Sequence, residues 1–142
     1  MPAPKKVHLK SASPSIRMGA VSLITVGKKG AVKDPPEKFI AGQGEIVVWG
    51  VANASGGAIS VTLKEFLRKK HVFDDEGDPN QPVTPFKWVG SDSIKLAVGA
   101  AGFIGGRVDY KPKDGIDGIK YTIEVIGSDF AFAYDPDGDI KP

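Results

Sequence analysis

Ile119-Lys120-Tyr121-Thr122-Ile123-Glu124-Val125-Ile126 decides the fold. Ile119, Tyr121, Ile123 and Val125 fall at every second position, with Lys120, Thr122 and Glu124 between them. A period of two puts the apolar set on one face of a strand and the polar set on the other, as in a sheet with one face buried. Glu45 to Val51 repeats the pattern, with Val47, Trp49 and Val51 on one side and Ile46, Val48 and Gly50 on the other. Trp49 is therefore a core aromatic. Ala58 to Leu63 alternates again through Ile59, Val61 and Leu63.

Weaker strand signals surround these three. Val21 to Val26 is rich in β-branched and aliphatic residues and is closed by Gly27-Lys28-Lys29-Gly30. Trp88-Val89, Ser93 to Val98, Arg107 to Lys111 and Phe130 to Tyr134 complete a set of roughly eight strands about ten residues apart, the spacing of a sandwich or barrel. Leu63 to His71 fits two periods: Leu63, Phe66, Leu67 and Lys70 suit a helix, while Val61, Leu63, Glu65 and Leu67 suit a continued strand. The reading here leans to a short helical turn. Asp74 to Pro85, with three prolines, reads as a long polar loop, and Gly99 to Gly106 as a mobile loop or a tight corner.

The expected fold is all-β: an antiparallel Greek-key β-sandwich, cupredoxin-like or immunoglobulin-like, with one short helix. Residues 1–6 are expected to form a loose tail and 7–142 a single domain, which is long enough to bury a core without covalent staples.

Composition narrows the function. The chain of 142 residues has no cysteine and only two histidines, His8 and His71. Thiolate and imidazole supply much of nucleophilic, general-base and transition-metal chemistry, so a non-enzyme without a cofactor is expected. An enzyme would at minimum need a pocket holding one of these histidines beside a carboxylate. Residues 1–73 carry 12 Lys/Arg against 4 Asp/Glu, and residues 74–142 carry 7 against 13. That asymmetry suits self-association, although interleaved strands would also dilute it. No leader or membrane-length apolar run is visible, so a soluble protein is expected, cytoplasmic as the sequence stands, with the compartment otherwise open.

Three stretches resemble a cupredoxin-type domain: Glu45-Ile-Val-Val-Trp49-Gly-Val-Ala-Asn53, the strand Ala58 to Leu63, and Gly118-Ile-Lys-Tyr121-Thr-Ile123-Glu-Val125 trailed by Asp135-Pro136-Asp137. The resemblance covers about residues 40–140 and implies a copper-free member. Type 1 copper takes two imidazoles and a thiolate. The first histidine of that family would fall near Ile59 and its cysteine near Val125, and the methionines, Met1 and Met18, are far from the terminal loop.

Candidate sites follow from the loops. Phe73, Phe86, Trp88 and Phe103 are the expected contact anchors of a binding or assembly module acting through 74–87 and 99–106, or through an exposed sheet edge. Its partner is expected to be a protein, self or other. The alternative is a calcium-dependent adhesive or carbohydrate-binding domain, with oxygen ligands from Asp74, Asp75, Glu76 and Asp78 and from Asp135, Asp137 and Asp139. Solvated turns explain the same acids. Arg68-Lys69-Lys70-His71 could touch phosphate, but the acidic run beside it repels the same ligand, so no nucleic acid is expected, nor is membrane insertion.

Overall fold

In the computed structural model, which describes residues 17–33, 38–69, 80–113 and 115–142, alternation turns into two facing sheets. The strands are β1 Met18–Val26, β2 Val32–Lys33, β3 Phe39–Gly42, β4 Ile46–Asn53, β5 Ile59–Lys69, β6 Asn80–Pro82, β7 Phe86–Trp88, β8 Ser93–Leu96, β9 Ala101–Val108, β10 Asp117–Ile126, β11 Ala131–Tyr134 and β12 Asp137–Lys141. The first sheet has the order β2-β1-β4-β9-β7. The second has the order β3-β12-β10-β5-β6, with β8 also beside β5 and β11 also beside β10.

The strong strands bury the side their pattern indicates. Val47, Trp49 and Val51 from β4 meet Ile119, Tyr121, Ile123 and Val125 from β10 and Ile59, Val61 and Leu63 from β5 in one core. Phe39, Trp49, Phe66, Phe86, Trp88 and Tyr121 form a continuous aromatic cluster with ring centroids 5.2–6.1 Å apart. Tilted and edge-on aromatic pairs of this kind add to the stabilisation from buried area.

The architecture is the expected β-sandwich, but its sheets are mixed rather than purely antiparallel. β1 runs parallel to β4, and β3 runs parallel to β12. The helical turn expected over 63–71 is absent from the described part of that stretch, because β5 continues as strand to Lys69. Leu63 pairs with Ile123 and Lys64 with Thr122, whereas Leu67 pairs with Lys120, so Glu65 and Phe66 together oppose Tyr121 alone. Glu65 has φ 55° at this β-bulge. The extra residue sets Leu63 and Phe66 three positions apart with both turned to the core, which imitates a helical repeat.

The glycine-rich run expected as a loop is also a strand. β9 occupies an interior position between β4 and β7. Its glycines answer crowding from the neighbouring strand β7 and from β8 across the sandwich. A Cβ on Gly106 would stand 3.0 Å from the Phe86 ring, and one on Gly102 would press on Ile94. The polar stretch 74–87 contributes β6 and β7, residues 70–79 of it and its neighbourhood lying outside the described residues. The Asp135–Asp139 turn likewise becomes β12 from Asp137 onward.

Candidate functional site: an open strand edge beside an apolar sheet face

β1 sits near the margin of the first sheet. On one side it pairs with β4 from Met18 to Val26. On the other, β2 covers only Thr25 and Val26. From Met18 to Ile24 that side has no strand partner among the described residues. Edge strands are ordinarily blunted by charge, proline or brevity. Met-Gly-Ala-Val-Ser-Leu-Ile-Thr-Val has no charge and no proline.

The outward face of this sheet is apolar as well. Val21 and Leu23 are 60% and 73% exposed, and Phe103 on β9 is 64% exposed. Register aligns Leu23 with Gly50 and Gly50 with Phe103, while Val21 aligns with Val48 and Val48 with Gly105. Leu23 leans over Gly50, where an added Cβ would stand 3.1 Å from its Cδ2. The result is a shallow furrow floored by Gly50 between Leu23 and Phe103.

The outward face of the second sheet is different. Lys64 Nζ lies 2.6 Å from Glu124 Oε2, Lys69 Nζ 2.8 Å from Asp137 Oδ2, Lys38 Nζ 3.0 Å from Asp139 Oδ2, and Lys120 Nζ 3.9 Å from Asp135 Oδ2. Thr122 Oγ1 donates to Asp135 Oδ1 at 2.8 Å. Ion pairs and hydroxyls dress this face for water, and a sandwich is expected to be polar outside on both faces.

The aromatic anchors read from sequence separate. Phe86 is 4% exposed and belongs to the core cluster, wedged between Trp49 and Phe66. Trp88 is half-buried against it, and Phe103 alone of the described three stands on the surface. Phe73, Asp74, Asp75, Glu76 and Asp78 lie outside the described residues, as do His8 and His71. Asp135, Asp137 and Asp139 each pair with a different lysine, and among the described residues no three acidic or imidazole groups gather as a metal site. The residues near the copper positions of the resembled family, Ile59 and Val125, are buried apolar side chains of the core.

At one end of the sandwich a cavity of about 350 Å³ is lined by Arg68, Gln81, Tyr110, Lys111, Lys113 and Asp117. Its carboxylate is committed: Tyr110 Oη donates to Asp117 Oδ2 at 2.6 Å, and Arg68 Nε lies 3.5 Å from the same oxygen. Burial first, then the Asp117 bond and charge, pushes the Tyr110 hydroxyl up to about 12. A phenol held protonated against a paired carboxylate is a structural clamp rather than an acid–base couple poised near neutrality. No helix among the described residues is long and apolar enough to cross a membrane.

The open edge is the feature that sequence reasoning named only in general terms. The uncharged run 18–26 was its signal, but which strand lies at a margin is a matter of tertiary pairing.

No family model and no curated protein matches the sequence. Solved structures do. A chain of the CsuC–CsuE chaperone–tip adhesion subunit pre-assembly complex from archaic chaperone-usher Csu pili of Acinetobacter baumannii matches with TM-score 0.56 and 11% identity, over 72% of this chain and 47% of that one. The CupB2 chaperone of Pseudomonas aeruginosa matches with TM-score 0.54 and 14% identity, over 74% of this chain and 53% of that one. A multicopper oxidase matches over 93% of this chain and 47% of that one at 14% identity, but its TM-score of 0.43 is too low to bear on cupredoxin topology. The chain spans about half the length of these solved chains. At these identities the likeness shows the fold alone, a two-sheet β-sandwich.

Proposed function

We propose that the protein is a non-catalytic assembly module that takes an extended segment of a protein partner onto the open edge of β1. The observation that carries this reading is the uncharged, proline-free edge from Met18 to Ile24, unpaired among the described residues and lined by the exposed side chains of Val21 and Leu23. An incoming strand gains main-chain hydrogen bonds from such an edge, and specificity from side chains at alternate positions. Phe103 and the Gly50 furrow extend the apolar surface that those side chains would meet. Similarity in fold to a chain of a pilus chaperone–adhesion subunit complex and to a chaperone supports an assembly role without naming the partner.

Amide exchange tests it. Titration with extended peptides carrying apolar residues at alternate positions is expected to protect the amides of Val21 and Leu23, and Leu23→Lys is expected to abolish the protection. Peptide binding to the monomeric chain that leaves both amides as fast as without peptide would place the site elsewhere.

A further inference from the structure

We infer that the partner of the β1 edge is a second copy of this chain, the two β1 strands pairing antiparallel about a two-fold axis at Ser22. This inference rests on the strand-addition reading above and names its partner.

Backbone direction supplies the first argument. Val26 O accepts from Ala54 N at 2.8 Å, so the main-chain groups of Val26 face the β4 side. Successive residues of a strand alternate direction, which turns Ser22 and Ile24 toward β4 and Val21 and Leu23 toward the open side. Centred on Ser22, a two-fold places Val21 opposite Leu23 of the second copy, and Leu23 opposite Val21 of the second copy. Both are then hydrogen-bonded pairs, while Ser22 faces Ser22 of the second copy as a non-hydrogen-bonded pair. That is the alternation an antiparallel ladder requires.

The side chains agree with the register. Val21 and Leu23 of the two copies join on the outer face into one apolar strip, continuous with Phe103 on each side. On the inner face Ala20 meets Ile24 of the second copy, a small residue against a large one. Ser22 is 7% exposed, and its hydroxyl makes no side-chain hydrogen bond among the described residues. Across the axis the two hydroxyls come within reach of each other, a cross-strand pairing that stabilises sheets.

The ends of the edge and its charges limit the alternatives. β2 closes the edge at Thr25, and at the other end β1 is bulged between Met18 and Ala20, with Gly19 pressed against Ala41. Five residues, Ala20 to Ile24, remain open among the described residues, and they are symmetric about Ser22. No charge lies within them to repel a like copy. A parallel apposition would set the Lys28-Lys29 turn of one copy beside the same turn of the other. The antiparallel one carries each turn to the opposite end, where Arg17 and Glu45 stand. Compared with the other margins, β3 and β11 have four residues each, β7 carries Lys87 and β8 carries Lys95.

A cysteine-free chain makes the register directly readable. Hydrogen-bonded antiparallel partners stand about 5.5 Å apart at Cα, within the roughly 4.4–6.8 Å a disulfide spans. Oxidising a mixture of Val21→Cys and Leu23→Cys chains is expected to give the mixed dimer in large excess over either like-with-like dimer. Sedimentation of the wild type is expected to show a dimer that Leu23→Lys reduces to a monomer with an unchanged far-ultraviolet spectrum. A dimer that survives Leu23→Lys, or that cross-links without preference for the mixed pair, overturns the inference. A wild-type monomer whose Val21 and Leu23 amides are still protected by an extended peptide overturns it while leaving strand addition standing. A monomer that no such peptide protects removes both.

Discussion

Trp49 Nε1 donates a hydrogen bond of 2.9 Å to Tyr121 Oη across the interior, joining β4 of one sheet to β10 of the other. Both residues are fully buried, and the Tyr121 ring stacks on Phe66 at 5.2 Å with 5° between planes. The bond satisfies the indole N–H inside an otherwise apolar core, where an unpaired donor is costly.

Tyr121→Phe keeps the stacking and removes the acceptor. The orphaned indole N–H is expected to cost about 1–3 kcal/mol, read as a lower midpoint in urea denaturation without a change in slope. A variant as stable as the wild type would show that the indole finds another partner.

Tyr134→Phe should behave in the opposite way. The Tyr134 hydroxyl is buried without a hydrogen-bond partner among the described residues. Removing it takes away a desolvated group that gains nothing in return, so stability is expected to hold or rise by up to about 1 kcal/mol.

All three tyrosines make the fold sensitive to base. Burial pushes Tyr121 up from 10.0 to about 12 and Tyr110 likewise to about 12, and burial raises Tyr134 as well. Between the unfolded and folded values the unfolded chain has lost phenolic protons that the native state keeps, so stability falls as pH rises. The contribution is fully present below about pH 10 and is lost toward pH 12. For the buried Tyr121 it amounts to about 2–3 kcal/mol. The more exposed Tyr110 contributes less. Melting temperature is expected to decline steeply above pH 10, and less so in Tyr121→Phe once its own lower baseline is subtracted.

Gly138 lies on β12 beneath the ring of Phe39, where an added Cβ would overlap the ring. Phe39 is itself packed against Trp49, Phe86 and Tyr121, so it has no room to yield. Gly138→Ala is expected to cost about 1–3 kcal/mol through overpacking, seen as a fall of several degrees in thermal unfolding.

Phe86 and Phe103 provide a paired test of core against surface. Phe86→Ala removes a core ring and is expected to cost about 3–5 kcal/mol. Phe103→Ala changes an exposed side chain and is expected to stay within about 0.5 kcal/mol of wild type while weakening association at the sheet face. Equal losses of stability would move Phe103 into the core.

Local pattern was a reliable guide where one face of a strand meets the core directly. Val47, Trp49 and Val51, and then Ile119 to Val125, show their buried side at a period of two because each such residue feels the same boundary between core and solvent. It misled at Leu63–Phe66, where a bulge inserted one residue into the period, and at Gly99–Gly106, where glycines that look like loop formers make room for Phe86 and Ile94 from other strands. The partner that demands a glycine is remote in sequence, so composition reads only the glycine.

The sequence by itself determined an all-β domain, its aromatic core around Trp49 and Tyr121, and a short supply of catalytic side chains, because alternation and composition are local properties. Tertiary structure alone decided that β1 runs parallel to β4 and β3 to β12, that Phe86 is core and Phe103 surface, and that the uncharged strand Met18–Val26 stands near a margin, its edge open from Met18 to Ile24 among the described residues. Pairing and register arise from contacts between segments far apart in the chain, and no window of residues contains both halves of such a contact.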